Sequence, residues 1–153
     1  MKPNSVKVLM VCLGNICRSP LAEGILKNKL DSKKYLVSSA GTANYHVGKL
    51  PDSRSIAVAQ KNGIDITDQK ANQFTIKHFE IFDFIFVMDL ENLNNVLKLA
   101  FSESERSKVK LILNETTPNQ NDEVPDPYYG GVDGFDFVYK ILDEACNHIA
   151  ARI

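Results

Sequence analysis

The sequence predicts a three-layer α/β fold, in which a four-stranded parallel sheet lies between two layers of helices. Four short apolar runs rich in β-branched residues recur along the chain, and segments with the apolar spacing of helices lie between them. Strands that alternate with helices form βαβ units with right-handed crossovers, and such units build a parallel sheet that is covered on both faces. At 153 residues, the chain is expected to form a single domain, residues 1–153.

The predicted strands are nearly continuous hydrophobic runs, as parallel strands buried on both faces usually are. They span residues 6–11, 35–38, 82–88 and 109–113. The most regular helical spacing is that of Val138, Ile141, Leu142, Ala145 and Ile149. Residues 41–52 and 114–131 fit neither pattern. Long loops in a compact domain often carry function, and ligands of open α/β sheets bind beyond the carboxyl ends of the strands.

The composition is that of an ordinary globular protein and excludes several functional classes. Hydrophobic residues make up 44% and charged residues 24% of the chain, and the formal net charge is −1. We therefore expect neither nucleic acid nor a membrane surface as a partner. No apolar run is long enough to span a bilayer, no signal segment precedes the first strand, and the three cysteines are too few for a disulfide framework. These features predict a cytoplasmic protein.

The first strand is followed directly by a segment that suits anion binding, Cys12-Leu-Gly-Asn-Ile-Cys-Arg-Ser19. Ser19 is a typical N-cap residue and Pro20 a typical first helical residue, so a helix is predicted to begin where this loop ends. Free N–H groups at a helix N-terminus, with those of a loop curled above it, can cradle a tetrahedral oxyanion. Gly14 and Asn15 tolerate the left-handed backbone that such a curl requires.

The same segment suits nucleophilic catalysis. A cysteine near a helix N-terminus and a guanidinium is stabilised as its thiolate, which is the reactive form, so Cys12 is the candidate nucleophile. Arg18 has a planar fork that can bind two phosphate oxygens and stabilise charge in the transition state. Ser19 could donate a hydrogen bond to the sulfur as it leaves. These residues together predict phosphate chemistry.

The segment Val11-Cys-Leu-Gly-Asn-Ile-Cys-Arg-Ser-Pro20 resembles the phosphate-binding loop of the low-molecular-weight protein tyrosine phosphatases. The resemblance implies a flavodoxin-like domain and a two-step reaction through phosphocysteine that uses no metal and no cofactor. It implies phosphotyrosine-bearing proteins as substrates, phosphate or another oxyanion in the loop, and a monomer or weak homodimer. It assigns the nucleophile to Cys12 and the phosphate clamp to Arg18. The other phosphate-binding residues of the loop would be Leu13, Gly14, Asn15, Ile16, Cys17 and Ser19.

A second family motif, an Asp-Pro pair followed by aromatic residues, is present as Asp126-Pro-Tyr-Tyr129. The resemblance gives Asp126 the role of general acid. A phenolate expelled by a thiolate must be protonated, and the resulting carboxylate can then deprotonate the water that hydrolyses the thiophosphate. Tyr128 and Tyr129 could stack on the substrate ring. The resemblance adds Tyr45 as a further aromatic wall of the pocket.

Weaker similarities extend along the chain. In Ser39-Ala-Gly-Thr42 the serine would brace the loop residue Asn15. Asn72 is a departure, since many family members have an arginine there, and this leaves the electrostatics around the loop open. Asp89 could be a helix cap or could contribute to the site. Cys17 could simply pack the loop, or it could trap an oxidised nucleophile as a reversible disulfide.

The same residues also allow interpretations other than a phosphatase. Cys12 could be an ordinary core cysteine, and Asp126 could merely start a turn. No cluster of histidines and cysteines completes a tetrahedral metal site. An arsenate reductase of the same fold would relay oxidation through further cysteines, but residues 60–100 contain none. A phosphotyrosine-binding module would need neither nucleophile nor acid, whereas candidates for both are present. The sequence therefore favours hydrolysis of phosphotyrosine and similar aryl phosphate monoesters.

Overall fold

The computed structural model describes residues 5–129 and 132–153. Its strands are β1 (Val6–Cys12), β2 (Tyr35–Gly41), β3 (Phe84–Val87) and β4 (Val109–Leu111). They form one parallel sheet in the order β2-β1-β3-β4, so β1 is central and its carboxyl end opens onto the segment that follows Cys12. The predicted fold class, a four-stranded parallel sheet in an α/β fold, is confirmed.

Helices follow the strands, as βαβ connections require. Within the described residues they are α1 (Arg18–Lys29), α2 (Ser53–Lys61), α3 (Lys77–Ile81), α4 (Leu90–Leu97), α5 (Glu103–Ser107) and α6 (Val132–Arg152). Short 3-10 helices span Ile112–Glu115 and Pro127–Tyr129. None of the described helices is both long enough and apolar enough to cross a membrane.

Two apolar clusters cover the two faces of the sheet. Successive side chains of a strand point to opposite faces, so Val8 and Met10 of β1 pack with residues of α1 and α6, whereas Leu9 and Val11 pack with residues of α3 and α4. Cys146 of α6 is fully buried in the first cluster, as expected for a core cysteine. The central strand is thereby fixed from both sides, and its last residue is held in place for the site.

Several element boundaries differ from the predicted ones for local reasons. β3 begins at Phe84 because Phe82 already serves as the C-cap of α3. β4 ends at Leu111 because a 3-10 helix begins at Ile112. The helix after the loop begins at Arg18, not after an N-cap at Ser19; Cys17 is the N-cap and makes no side-chain capping bond. The hydroxyl of Ser19 is bonded elsewhere in the site and is not available for capping.

Candidate active site

The loop after β1 forms the floor of a pocket with a volume of about 210 Å³. The pocket brings together residues from the first strand, the first helix and two distant loops. Its lining residues are Cys12, Leu13, Gly14, Ile16, Cys17, Arg18, Tyr45, His46, Asp126 and Tyr128. Most of the residues that the sequence predicts for the site therefore share one cavity at the carboxyl end of the sheet. The side chain of Tyr129 lies outside the described residues.

The carbonyl groups of the loop are held from outside by donors on neighbouring segments. The bonds run from Thr42 N to Cys12 O (2.9 Å), from Ala43 N to Leu13 O (2.9 Å), from Asp52 N to Ile16 O (2.8 Å) and from Ser55 Oγ to Cys17 O (3.2 Å). In a trans peptide, the N–H of the next residue points away from the carbonyl. The N–H groups of Leu13, Gly14, Cys17 and Arg18 are thus turned toward the interior of the loop. This arrangement suits an anion.

Asn15 bends the loop, and both polar atoms of its side chain are hydrogen-bonded. It is the loop residue with a left-handed backbone, at a φ of 58°. Its Nδ2 donates to Ser19 Oγ (2.7 Å) and Ser39 Oγ (2.9 Å), and its Oδ1 accepts from the backbone N–H of Asn72 (3.0 Å). Ser39 in turn donates to Glu23 Oε1 (2.6 Å). The contact expected between Ser39 and Asn15 is present, and Asn72 joins the same network.

The sulfur of Cys12 lies at the end of this network. Ser19 Oγ is 3.0 Å from Cys12 Sγ, and the backbone N–H of Asn15 donates to the same sulfur at 3.3 Å. Either the Ser19 hydroxyl or the Cys12 thiol can be the donor in the first of these contacts. Cys12 is only 2% exposed. The buried sulfur therefore has two polar partners that fix its position in the loop.

Arg18 is buried beside this sulfur. Its Nη1 donates to Asp89 Oδ2 (2.7 Å) and to the carbonyl of Val124 (2.9 Å). Burial by itself would lower the pKa of Arg18, but the charge of Cys12, the hydrogen bond and charge of Asp89 and the charge of Asp126 outweigh it and raise that pKa. The guanidinium is a permanent cation at a fixed place in the pocket.

Asp89 has both of the roles that its sequence position leaves open. Its Oδ1 accepts the backbone N–H of Asn92 at 2.8 Å and caps α4, while its Oδ2 binds Arg18. A single carboxylate thus links the start of a helix after β3 to the arginine after β1. The sequence alone leaves this contact open because Asp89 and Arg18 are far apart in the chain.

Asp126 reaches the pocket from the late loop. Its Oδ1 accepts the backbone N–H of Tyr128 at 3.0 Å, and its Oδ2 is 3.8 Å from Arg18 Nη2. That distance is longer than a hydrogen bond, so Oδ2 has room to meet another group. The side chain is 39% exposed. A partly solvated carboxyl over a buried thiol and a buried arginine is an arrangement that can exchange protons with a bound molecule and with water.

The walls of the pocket are aromatic. Tyr45 and Tyr128 lie on its rim, and both are exposed to solvent. The half-buried His46 joins them and was not predicted from the sequence, although it is next to Tyr45. A Cβ on Gly14 would be 3.0 Å from His46 Cδ2. Gly14 thus closely approaches His46, and it does not have the left-handed backbone that its residue type would tolerate.

Cys17 faces the pocket as a neutral thiol. Burial is the main cause that raises its pKa to about 12, and the charges of Asp52, Cys12 and Asp126 add to the effect, while Arg54 opposes it. Cys17 and Cys12 are both free thiols in this structure. At neutral pH Cys17 is not itself a strong nucleophile, which distinguishes it from a catalytic cysteine. Within residues 5–129 and 132–153, no three His, Cys, Asp or Glu side chains are grouped so that they could hold a metal ion.

The end of β2 braces the loop, and a substitution there tests this contact. A Cβ on Gly41 would lie 2.7 Å from Leu13 O and 3.0 Å from Asn15 N, both backbone atoms. Gly41→Ala is therefore expected to destabilise the protein by about 1–3 kcal/mol, as overpacking usually does, and to weaken the binding of inorganic phosphate. Urea unfolding and calorimetric titration with phosphate measure the two effects.

Gly134→Ala is the matched control for this substitution. A Cβ on Gly134, in the first turn of α6, has its nearest neighbour at an ordinary 3.8 Å, so this variant should be at least as stable as the wild type. Unchanged phosphate affinity in Gly41→Ala would contradict the bracing role.

Comparisons with known proteins agree with the geometry. The family model described as low molecular weight phosphotyrosine protein phosphatase matches residues 7–153. A putative low molecular weight protein-tyrosine-phosphatase of Synechocystis sp. is 42% identical over 152 residues, which cover 97% of this chain and 96% of the relative.

Two solved structures are similar over the same extent. A protein tyrosine phosphatase of Entamoeba histolytica, crystallised with Hepes in the active site, superposes with a TM-score of 0.90 at 38% identity and covers 97% of this chain and 96% of its own. Vibrio vulnificus Wzb in complex with benzylphosphonate gives a TM-score of 0.87 at 30% identity, with 97% and 99% covered. The chain belongs to the low molecular weight protein tyrosine phosphatases, a family of phosphomonoester hydrolases.

Proposed function

We propose that this pocket hydrolyses phosphotyrosine in proteins through a cysteinyl-phosphate intermediate, with Cys12 as nucleophile, Arg18 as phosphate clamp and Asp126 as general acid and base. The observation that carries the proposal is the meeting of these three side chains in one pocket, with Cys12 Sγ at its buried end. Each of the three has a partner that fixes its position.

Phosphate would bind in the loop before any bond is broken. The inward N–H groups of the loop and the N-terminus of α1 supply donors and the positive end of a helix dipole. Arg18 adds a charge whose position is set by Asp89 and Val124, so two of its nitrogens need little reorganisation to meet two oxygens. Most donors of the cradle are backbone N–H groups, so phosphate binding would depend on the backbone conformation of the loop as well as on its side chains.

In the first step, the sulfur of Cys12 attacks phosphorus and the phosphorus–oxygen bond to the tyrosine ring breaks. The leaving oxygen takes the proton of Asp126, which becomes a carboxylate, and tyrosine departs. Phosphorus is then bonded to sulfur. As charge moves onto the phosphoryl oxygens, Arg18 and the loop N–H groups stabilise it.

In the second step, a water molecule attacks phosphorus from the side that tyrosine has left. Asp126 accepts the proton of that water, the phosphorus–sulfur bond breaks, and Cys12 leaves as a thiolate that receives hydrogen bonds from Ser19 and Asn15. Inorganic phosphate is released and Asp126 is again protonated. One carboxyl therefore serves both steps, and no other proton donor is needed.

The walls of the pocket favour an aryl ester over an alkyl ester. Tyr45 and Tyr128 present aromatic faces at the rim, where a phenyl ring attached to a phosphate in the loop would lie. The Vibrio vulnificus relative binds benzylphosphonate, in which a methylene joins a phenyl ring to a phosphonate group. A phosphotyrosine side chain has the same two parts, a ring and a phosphorus oxyanion.

The experiment that tests this function follows a phosphotyrosine peptide and para-nitrophenyl phosphate with the reduced enzyme in the presence of a chelator. We expect stoichiometric release of phenol and phosphate, and we expect mass spectrometry of acid-quenched enzyme to find phosphate on the peptide that contains Cys12. Phosphate on another residue would contradict the assignment of the nucleophile. Release of phenol without any phosphoenzyme under single-turnover conditions would favour direct attack by water.

A further inference from the structure

Arg54, at the start of α2, is held by one carboxylate in a fixed orientation. Its Nε and Nη2 donate to the two oxygens of Asp52, each at 3.0 Å, which is the paired geometry that guanidinium groups form best. Asp52 also caps α2 by accepting the backbone N–H of Arg54 at 2.8 Å. The side-chain hydrogen bond from Arg54 is the main cause that lowers the pKa of Asp52, so this carboxylate stays charged.

The remaining face of Arg54 is directed at the late loop and α6. Its Nη1 donates to the backbone carbonyl of Tyr128 at 3.0 Å. The guanidinium carbon lies 5.3 Å from the centre of the Tyr128 ring and 4.7 Å from that of Phe135. These distances are within the range of cation–π attraction. Arg54 therefore touches both the main chain and the side chain of Tyr128.

Asp126 lies between two anchored positions of its loop. On one side, Val124 donates its N–H to Met88 O at 2.8 Å and accepts from Arg18 at 2.9 Å. On the other side, Arg54 holds Tyr128, whose N–H donates to Asp126 Oδ1. The first anchor belongs to the phosphate clamp, whereas the second comes from a helix outside the phosphate loop.

Asp52 connects this second anchor to the phosphate loop. Its backbone N–H donates to Ile16 O at 2.8 Å. A continuous series of bonds thus runs from the loop that would bind phosphate, through Asp52 and Arg54, to the peptide that orients the acid. Every contact in the series is a hydrogen bond of ordinary length, so the distance between loop and acid is fixed by short links.

We infer that Arg54 is a positioning residue for the general acid: it holds Tyr128, and through the Tyr128 N–H it holds the Asp126 carboxyl over the pocket. This inference rests on the proposed function, since it concerns the same acid. Arg54 does not line the pocket with the residues that would meet the substrate, so it acts through Asp126. Its loss should impair proton transfer to the leaving group more than phosphate binding.

The leaving group distinguishes this role from a merely structural one. A general acid contributes about 10²–10⁴-fold when the leaving oxygen is basic, and very little when the leaving group is already stable as an anion. Arg54→Met is expected to lower kcat/KM for phenyl phosphate about ten-fold and for 2,4-dinitrophenyl phosphate less than about two-fold. Arg54→Lys should lie between the wild type and Arg54→Met, because an ammonium cannot bind Asp52 and Tyr128 with the same geometry.

The experiment measures kcat/KM for a series of aryl phosphates with leaving groups of different basicity, for the wild type, Arg54→Met and Arg54→Lys. Lys61→Met is the matched control, because Lys61 Nζ pairs with Asp136 Oδ1 at 3.0 Å and also joins α2 to α6, but has no contact with the late loop among its described bonds. We expect a steeper dependence on leaving-group basicity in Arg54→Met and the wild-type dependence in Lys61→Met.

The outcomes separate this inference from the function on which it rests. An equal loss on all substrates in Arg54→Met, with a folded protein by urea unfolding, would overturn the positioning role. The same would hold if Lys61→Met reproduced the steeper dependence. A wild type without turnover of any aryl phosphate would overturn the proposed function. If kcat/KM depended more steeply on leaving-group basicity in Asp126→Asn than in the wild type, but not in Arg54→Met, only the role of Arg54 would be overturned.

Discussion

Cys12→Ser is expected to lose turnover of aryl phosphates by about 10⁴-fold or more while it still binds inorganic phosphate. A serine hydroxyl keeps its proton at neutral pH, and the two polar partners at this position, the Ser19 hydroxyl and the Asn15 N–H, are not bases that could remove it. The cradle itself survives, because its carbonyl groups are held by Thr42, Ala43 and Asp52 and not by the sulfur. Steady-state kinetics with para-nitrophenyl phosphate and calorimetric titration with phosphate measure the two properties separately.

Cys146→Ser is the control for a general effect of replacing cysteine. Cys146 is buried in the core beside Ala22 O, away from the pocket, so that variant should keep its turnover once its folded fraction is taken into account. Turnover in Cys12→Ser equal to that of the wild type would rule out the nucleophile. Loss of phosphate binding in Cys12→Ser would instead show that the sulfur helps to shape the loop.

Asp126→Asn should be the second most damaging change, with a loss of about 10²–10³-fold in kcat for para-nitrophenyl phosphate. An asparagine can still accept the N–H of Tyr128, so the loop keeps its shape, but it can neither protonate the leaving oxygen nor accept a proton from water. The loss should be larger for phenyl phosphate, whose leaving group is more basic. Stopped-flow kinetics should find both half-reactions slowed.

Asp122→Asn is the matched control in the same loop. Asp122 is exposed and accepts the hydroxyl of Thr117 at 3.0 Å, away from the pocket, so its replacement should leave both half-reactions unchanged. If Asp126→Asn slowed phosphorylation alone, the base in the second step would be another group. If Asp126→Asn slowed neither half-reaction, Asp126 would not be the general acid.

The central part of the site could be predicted because it is local in the sequence. Cys12 ends β1 and Arg18 begins α1, with one short loop between them, and that local order is enough to bring a sulfur and a guanidinium to one cradle. Asp126 could be proposed only because an Asp-Pro motif resembles that of a known family. Its meeting with Arg18 depends on how the long late loop folds over the sheet, and apolar periodicity says nothing about that.

Apart from Ser39, which the family resemblance pointed to, the supporting contacts could not be predicted because they join distant parts of the chain. Arg54 is joined to Tyr128 by one backbone carbonyl and the Tyr128 ring, and Arg54 belongs to no pattern that the sequence displays. Asp89 could be predicted only as a helix cap or a contributor to the site, and the structure shows that it caps α4 and binds Arg18. Asn72 braces Asn15 with its backbone N–H, and its side-chain amide donates to Ser39 O at 2.7 Å.

The apolar patterns of the sequence do not predict the two short helices α3 and α5. α5 buries none of its residues, so its sequence has no apolar face by which a helix could be recognised. α3 has one fully buried aromatic residue, Phe79, within a run of aromatic residues that resembles a strand. α5 is marked by a local cap, in which Ser102 Oγ accepts the N–H of Glu105, and neither helix shows a repeating apolar pattern.

The backbone bonds that hold the loop carbonyls have a consequence for how stability should be compared between variants. They join Cys12 and Leu13 to residues beyond β2, and Ile16 to the start of α2, so the cradle exists only in the folded chain. A ligand that binds only the folded chain adds RT ln(1 + [L]/Kd) to the free energy of unfolding, about 2.7 kcal/mol when its concentration is 100 times Kd. If the loop binds oxyanions as proposed, phosphate and sulfate in a buffer are expected to stabilise this protein, and the free energy of unfolding of a variant that loses anion affinity should fall further below that of the wild type in such a buffer than in one without oxyanions.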